Sequence, residues 1–264
     1  MDRNRIGQLS SSDAPFLLTA ACALFLDIDG TLLELAPSPS AVAVDPQITA
    51  LLPALSRALG GACALVTGRS VTDVDALFPG LRLPISGQHG CEQRDVDGTI
   101  HLYAKNRAML DRLRTLFASF AAKHPGFLLE DKGATLALHY RQAPELAGTV
   151  EQTVRGAMAE QPGHGYLVQG GKELVEVRPE SRNKGTSIRD FMRKAPFEGR
   201  IPVFVGDDVG DEHGFALVQR LGGEGIKVGP GNTRARHRLR DVAAVRDWLD
   251  MFLVAPLFHP QQNP

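Results

Sequence analysis

Short apolar runs separated by longer amphipathic stretches constrain the fold of this chain more than any other feature. The runs have the length of buried strands, and the stretches between them show helical spacing, a pattern typical of βα units on a parallel sheet. The runs lie at 22–28, 62–68, 83–87, 201–207 and 225–229. Helices are predicted at 46–59, 185–195, 211–221 and 241–253. We therefore expect an α/β fold built on a parallel sheet.

The segment between the third and fourth runs has a different pattern. Two helical stretches are each followed by a hairpin in which polar and apolar residues alternate, which predicts one face on a core and one open face. These elements are predicted at 105–123, 127–141, 144–160 and 166–179. We predict that residues 104–180 form a small inserted α+β module and that residues 1–103 and 181–264 form the parallel-sheet domain. A chain of 264 residues, 43% of them hydrophobic, is long enough for both cores.

Polar segments rich in turn-forming residues occur at the ends of three of the predicted strands: "DIDGT" (27–31), "VTGRS" (66–70) and "VGDDVGDE" (205–212). Because ligands of open α/β sheets bind beyond the carboxyl ends of the strands, we expect these segments to meet at one edge. The polar side chains that they would gather are Asp27, Asp29, Thr67, Asp207, Asp208 and Asp211. Two carboxylates about 4 Å apart repel by roughly 4 kcal/mol at an effective dielectric near 20. A Mg²⁺ ion together with a phosphoryl group would relieve this repulsion, since Mg²⁺ prefers oxygen ligands.

The acidic residues could also serve the local structure alone. Each of Asp29, Asp207 and Asp208 could cap a turn or a helix. A calcium loop does not fit, because Thr31 and Val218 stand where that loop requires acidic or amide ligands. A nucleotide-binding P-loop lacks its first glycine. Capping and a metal–phosphate site therefore remain as the two interpretations of the residues alone.

Four segments resemble, in order, the signatures of the haloacid dehalogenase superfamily of phosphotransferases. They are "DIDGTL" (27–32), "VTGR" (66–69), the lysine of "NKG" (183–185) and "GDDVGDE" (206–212). The resemblance extends from residue 22 to about residue 253. It implies a Rossmann-like, parallel-sheet hydrolase core with an inserted α+β cap domain.

The same resemblance implies the roles of individual residues. Asp27 is expected to attack phosphorus and form an aspartyl-phosphate, and Asp29 to act as general acid and then as general base. Mg²⁺ is expected between the Asp27 carboxylate, the Asp29 main-chain carbonyl and Asp207. Supporting roles are expected for Thr67 and Lys184 at the phosphoryl group, for Asp208 and Asp211 around the lysine and the metal-bound waters, and for Arg69 at the substrate.

Alternation in the hairpins places charged residues of both signs on one face of the small sheet. They are Glu130 and Lys132, then His139 and Arg141, then Lys172, Glu176 and Arg178. A solvated outer face usually accounts for such a pattern. A neutral polyhydroxyl ligand would also require this mixture of donors and acceptors, and a site of this kind rejects analogues strongly.

The segments "GQHGCE" (87–92), "EDKGATLALHYR" (130–141) and "GKELVEVRP" (171–179) resemble the cap motifs of trehalose-6-phosphate phosphatases. The resemblance implies hydrolysis of trehalose 6-phosphate to trehalose and phosphate. It places Glu130, Lys132, Arg141, Lys172 and Glu176 on the disaccharide and His89 at the pocket floor, where a packing role is the alternative. Arg182–Asn183 and Gly210 depart from the residues that the family often has. Phosphatases of sucrose phosphate, a mannosylglycerate precursor or hexose phosphates, and a catalytically silent sugar-phosphate-binding protein, remain alternatives.

Charge and cysteine content bear on partners and compartment. The 29 basic and 30 acidic residues give a net charge of −1, which argues against nucleic-acid or membrane binding. Cys22, Cys63 and Cys91 suit buried thiols in a reducing cytoplasm. Residues 14–26 have the length of a secretory apolar segment, but they include the strand that leads to Asp27. We therefore expect a cytoplasmic enzyme with functional coupling to trehalose-6-phosphate synthase, the source of its substrate.

Overall fold

The computed structural model describes residues 16–36, 42–103, 106–171 and 173–254. The strands are β1 (Cys22–Leu26), β2 (Cys63–Val66), β3 (Ile85–Gly87), β4 (Glu92–Arg94), β5 (Ile100–Leu102), β6 (Leu128–Asp131), β7 (Leu136–His139), β8 (Tyr166–Gly171), β9 (Leu174–Pro179), β10 (Ile201–Gly206), β11 (Glu224–Val228) and β12 (His237–Leu239). The helices are α1 (Pro46–Ala58), α2 (Val71–Leu77), α3 (Arg107–Lys123), α4 (Ala147–Ala159), α5 (Lys184–Phe191), α6 (Glu212–Arg220) and α7 (Val242–Val254). All the predicted strands and helices are present.

The larger sheet has eight strands in the order β12-β11-β10-β1-β2-β3-β4-β5. The strands from β12 to β3 run parallel, and β4 and β5 extend the sheet antiparallel. This confirms the predicted α/β class with a mostly parallel sheet. The sequence did not indicate β4, β5 or β12, because each is only three residues long and carries no clear alternation.

The central strand β1 is buried on both faces of the sheet. Leu24 and Leu26 belong to an apolar cluster with residues of α1, α2 and α7. Ala23 and Phe25 belong to the opposite cluster, with residues of α5 and α6. Burying one such side chain fully contributes about 1.5–3 kcal/mol. The continuous apolar run is therefore a consequence of helices on both sides of a parallel sheet.

The smaller sheet is antiparallel, in the order β6-β7-β9-β8. Its apolar face packs with α3 and α4 in a separate cluster, which includes Leu136, Leu138, Val175 and Val177. Its other face carries the polar residues, since Glu130 and Glu176 both lie opposite Ala137 in the strand register. The division into domains at residues 104 and 180 stays a prediction, and residues 104 and 105 lie outside the described residues.

The structure also shows the length of the helices and the state of the cysteines. Within the described ranges, no helix is both long enough and apolar enough to cross a membrane. Cys22, Cys63 and Cys91 are free and buried, as predicted. Burial raises the pKa of the Cys63 and Cys91 thiols to about 12, so both stay protonated at neutral pH.

Candidate active site

Three carboxylates meet at the carboxyl edge of the larger sheet. Asp27 follows β1 and is held in line by its backbone N–H, which donates to Val205 O at 3.0 Å. Asp207 follows β10, and Asp211 lies in the turn before α6. Asp27, Asp207 and Asp211 each place one carboxylate oxygen within 4.8 Å of the others. The structure thus brings together the strand ends that the sequence analysis placed at one edge.

A buried lysine joins two of these carboxylates. Lys184 Nζ donates to Asp27 Oδ1 at 2.8 Å and to Asp211 Oδ1 at 2.6 Å. It opens α5, whose first turn is capped by Asn183 Oδ1 accepting from Thr186 N. Burial alone would lower the pKa of Lys184, but the two carboxylates raise it above its ordinary value. Lys184 is therefore a fixed positive charge at the centre of the cluster.

One lysine does not neutralise the cluster. Burial raises the pKa of Asp27 well above its ordinary value, and the charges of Asp211 and Asp207 add to this against the opposing effect of Lys184. Burial and the charge of Asp211 raise the pKa of Asp207 to about 6. Asp207 Oδ1 is buried and has no hydrogen-bond partner among the residues that the structure describes. These hard, anionic oxygens fit a divalent cation, which would satisfy that orphaned atom.

Two glycines of the motifs make this crowding possible. A Cβ on Gly30 would lie 2.1 Å from Asp207 Oδ2, and its φ of +76° is one that glycine adopts without strain. A Cβ on Gly206 would lie 2.4 Å from Asp211 Cγ. The acidic residues can approach one another only because the backbone beside them carries no side chain.

Asp29 has a different partner. Arg69 Nε and Nη2 donate to Asp29 Oδ2 and Oδ1, both at 2.7 Å, in a bidentate pair. Thr67 is buried, and its hydroxyl accepts from Arg69 N at 3.2 Å. The first and second motifs are therefore joined through side chains as well as through the β1–β2 pairing.

His89 lies between the acidic cluster and the smaller sheet. Its ring packs on Gly68, where a Cβ would lie 2.6 Å from Nε2. Burial lowers the pKa of His89 to about 3, and the charges of Lys184, Arg178 and Lys132 contribute to this lowering. His89 is thus uncharged at neutral pH, and it lies near Lys184 of helix α5 and near Arg178 and Lys132 of the smaller sheet and its β6–β7 turn.

The open face of the smaller sheet carries a hydrogen-bonded group of charged residues. Glu130 Oε2 lies 3.0 Å from His139 Nε2, and Glu130 Oε1 lies 3.5 Å from Lys132 Nζ. The hydrogen bond to His139 lowers the pKa of Glu130 despite its partial burial. Burial raises the pKa of Glu176, which is 9% exposed. This buried carboxyl group differs from a residue of a freely solvated face.

Comparison with known proteins identifies the family to which this architecture belongs. The family described as trehalose-phosphatase matches residues 25–242, which include the smaller sheet and all of the larger sheet except the first residues of β1. The chain belongs to the trehalose-phosphatase family.

Two relatives of known name share much of the sequence. The probable trehalose-phosphate phosphatase of Sinorhizobium fredii is 48% identical over 208 residues, which cover 79% of this chain and 78% of that protein. The trehalose-6-phosphate phosphatase of Escherichia coli is 42% identical over 238 residues, covering 90% of this chain and 89% of that protein. The similarity therefore extends over both sheets and is not confined to the acidic motifs.

A solved structure supports the fold. The C-terminal domain of C. albicans trehalose-6-phosphate phosphatase superposes with a TM-score of 0.72 and 21% identity, covering 89% of this chain and 93% of that one. The likeness confirms the expected α/β fold with a mostly parallel central sheet.

For three of the predicted site residues, the structure does not show the expected position or contact. Lys172 lies outside the described residues. Arg141 lies beyond the end of β7, and its guanidinium pairs with Glu173 in the β8–β9 turn. Asp208 is exposed, and its Oδ1 accepts from Val209 N, which is the capping arrangement.

The structure adds residues that the sequence analysis did not assign to the site. Lys227, buried in β11, donates to the carbonyl oxygens of Asp207 and Val228. The sequence feature that could have indicated this residue is the charged lysine inside the otherwise apolar run "GIKVG". Arg182 stacks 3.8 Å above the Tyr103 ring and donates to Gly90 O at 2.6 Å. Arg182 therefore joins the two chain segments that connect the sheets.

Proposed function

We propose that this chain hydrolyses trehalose 6-phosphate to trehalose and phosphate. The observation that carries the proposal is the group of Asp27, Asp207 and Asp211 around Lys184, in a member of the trehalose-phosphatase family. The names of the relatives from S. fredii and E. coli support the same activity. A carboxylate can act as the nucleophile in phosphoryl transfer, and a fixed cation beside it stabilises the negative charge of the transferring group.

The reaction we infer has two steps. The Asp27 carboxylate attacks phosphorus, the phosphorus–oxygen bond to the sugar breaks, and an aspartyl-phosphate forms. Water then attacks that phosphorus and releases phosphate, which regenerates Asp27. Lys184, 2.8 Å from Asp27, offsets negative charge on the transferring group. Thr67, buried at the end of β2, would donate its hydroxyl to a phosphoryl oxygen.

We assign proton transfer to Asp29. In the first step its carboxyl group would protonate the leaving sugar oxygen, and in the second it would take a proton from the attacking water. Arg69 holds this carboxylate by two hydrogen bonds and so fixes its orientation. The expected contact between Arg69 and the substrate would therefore be made beside Asp29.

We propose Mg²⁺ as the cofactor. Asp27 and Asp207 would bind it through side-chain oxygens, and Asp29 would bind it through its main-chain carbonyl. The buried Asp207 Oδ1, which lacks a hydrogen-bond partner within the described part of the chain, supports this assignment. When bound, the ion would neutralise charge on the carboxylates and the phosphoryl group. Asp211 would keep Lys184 in place, and Asp208 would orient metal-bound waters.

We propose that residues 104–180 act as a cap that selects the sugar. Its open face presents Glu130 and Glu176, Lys132 pairs with Glu130 beside them, and His89 lies on the side of the larger sheet. Donors and acceptors in a partly buried group can pair with sugar hydroxyls and reject esters that lack them. Arg141 and Lys172 are included in this proposal on the resemblance of their motifs alone.

A panel of phosphate esters tests the function. Phosphate release would be measured with trehalose 6-phosphate, sucrose phosphate, a mannosylglycerate precursor and glucose 6-phosphate. We expect kcat/KM for trehalose 6-phosphate to exceed the others by about 100-fold or more. Similar values for all esters would overturn the assignment, and binding without turnover would indicate a silent sugar-phosphate-binding protein. Asp27→Asn provides the inactive control.

We place this reaction in the cytoplasm and couple it to the synthase that supplies the substrate. The three buried thiols support a reducing compartment. Co-purification of the two enzymes at physiological salt would show whether the coupling includes a physical contact.

A further inference from the structure

Gln88 connects the two sheets through a buried side-chain amide. Its Nε2 donates to Lys132 O at 2.7 Å and to Glu92 Oε2 at 3.1 Å. Its Oε1 accepts from the hydroxyl of Thr135 at 3.0 Å. Lys132 and Thr135 flank the β6–β7 turn, whereas Glu92 belongs to β4. The residue is 1% exposed. Its hydrogen-bond partners belong partly to the larger sheet and partly to the inserted module.

The backbone beside this amide is bonded to the phosphoryl-transfer loop, the segment after β2 that carries Thr67 and Arg69. Gln88 N donates to Arg69 O at 2.8 Å, and His89 N donates to Thr67 O at 3.0 Å. Gln88 and His89 both have left-handed φ angles, 48° and 53°, which residues other than glycine rarely adopt. Two consecutive residues of this kind persist only where the surroundings fix them, and such sites are often functional.

Glu92 extends the connection. Its Oε2 accepts from Val71 N at 2.8 Å as well as from Gln88. Val71 is the first residue of α2, directly after the phosphoryl-transfer loop. A continuous set of buried hydrogen bonds therefore runs from the β6–β7 turn through Gln88 to this loop.

We propose that Gln88 is a positioning residue that couples the position of the inserted module, which selects the sugar, to the position of the phosphoryl-transfer loop. Its amide would place the β6–β7 turn, and with it Lys132, at a fixed height above His89. The proposal rests on the proposed function, since it concerns the selection of the same sugar ester. A plain packing role would affect all substrates and the whole fold alike.

The test compares Gln88→Met, which keeps length and apolar volume but removes the amide, with Thr135→Val, which removes the partner hydroxyl. Gln93→Met is the matched control, because the Gln93 amide is also buried in β4 but donates to Asp95 within the core. For each variant, kcat/KM would be measured with trehalose 6-phosphate and with p-nitrophenyl phosphate. Hydrogen exchange of residues 130–141 gives a readout that does not depend on activity.

We expect Gln88→Met to lower the ratio of the two kcat/KM values about 10- to 100-fold, because small misplacements of binding groups cost rates of this size. Thr135→Val should act in the same direction, and the double variant should lose less than the product of the single losses. The ratio for Gln93→Met should stay near that of the wild type. If Gln88→Met does not fold, the isosteric Thr135→Val carries the test.

Hydrogen exchange distinguishes failure of this proposal from failure of the proposed function. If the wild type hydrolyses p-nitrophenyl phosphate but not trehalose 6-phosphate, the function fails, and faster exchange confined to residues 130–141 in Gln88→Met still supports the positioning role. If Gln88→Met leaves the ratio of the two kcat/KM values unchanged and its hydrogen exchange equals that of the wild type, the positioning role is overturned. Equal losses on both substrates with faster exchange throughout the chain would also overturn it, since they indicate packing alone.

Discussion

The Asp29 carboxylate accepts two hydrogen bonds from the Arg69 guanidinium, each 2.7 Å long. The planar fork of an arginine matches a carboxylate in this way and fixes its orientation as well as its position. The two residues are 40 positions apart in the chain, so the pair joins the ends of β1 and β2. It restrains the residue that we assign to proton transfer.

Asp29→Asn should separate the two steps of the reaction. With trehalose 6-phosphate, turnover should fall about 10²- to 10⁴-fold, because the sugar oxygen leaves poorly without a proton. With p-nitrophenyl phosphate, whose leaving group needs no proton, stopped-flow absorbance should show one equivalent of nitrophenolate and then a stall. Steady turnover of the aryl ester at the wild-type rate would contradict the assignment.

Lys184→Met should abolish activity and destabilise the fold. Removing one partner of a buried ion pair costs about 3–5 kcal/mol, because the remaining charge stays buried and unpaired. Urea denaturation followed by circular dichroism would measure this loss. The double variant Lys184→Met/Asp27→Asn is the control, since it also removes one of the stranded carboxylates and should recover part of the stability but none of the activity. A single variant as stable as the wild type would show that the ammonium does not bridge the carboxylates.

The sequence was sufficient for those parts of the fold that are encoded locally. The run before Asp27 is apolar at every position because β1 is covered on both faces, and continuous runs of this kind are easily recognised. The strand β4 could not be found, because Glu92, Gln93 and Arg94 carry no apolar pattern. Its burial results from pairing with β3 and β5, which is a tertiary effect.

The site shows the same division. The meeting of Asp27 with Asp207 could be predicted, because parallel strands end at a common edge. The hydrogen bond from Gln88 to Lys132 O could not, since it joins positions 44 residues apart and depends on how the two sheets pack. Side-chain pairings across the chain are thus the part of the site that needed coordinates.

The response of stability to Mg²⁺ should depend on pH. The pKa of Asp207, raised to about 6 in the folded protein from an ordinary 3.8, means that ionisation of this group destabilises the ion-free fold. This destabilisation is absent below pH 3.8, grows as the pH rises to 6 and is complete above that value. An ion that binds the carboxylates relieves it, so its stabilising effect should be larger at pH 7 than at pH 5.

Thermal unfolding with Mg²⁺ or with EDTA would measure this difference. At 100 times its dissociation constant, the ion should raise Tm by about 5–10 °C at pH 7. Asp207→Asn is the control and should lose most of the shift. An equal shift at both pH values, or one that persists in Asp207→Asn, would exclude Asp207 as a ligand.

Glu176→Gln should reduce activity toward the sugar ester far more than toward an aryl ester. The carboxyl group of Glu176 is buried in the middle of the polar face, opposite Ala137 in the strand register. Replacing it by an amide of the same shape changes two acceptor oxygens into one acceptor and one donor, which leaves a sugar hydroxyl without its partner. We expect kcat/KM for trehalose 6-phosphate to fall about 10- to 100-fold, with p-nitrophenyl phosphate much less affected.

Glu151→Gln is the matched control for Glu176→Gln, because Glu151 lies on the outer helix α4 and pairs only with the exposed Arg155 among the described contacts. It should leave both activities near their wild-type values. Equal losses on the two esters in Glu176→Gln would mean that the residue supports the fold or the phosphoryl-transfer step. Only a loss confined to the disaccharide ester assigns the buried carboxyl group to sugar recognition.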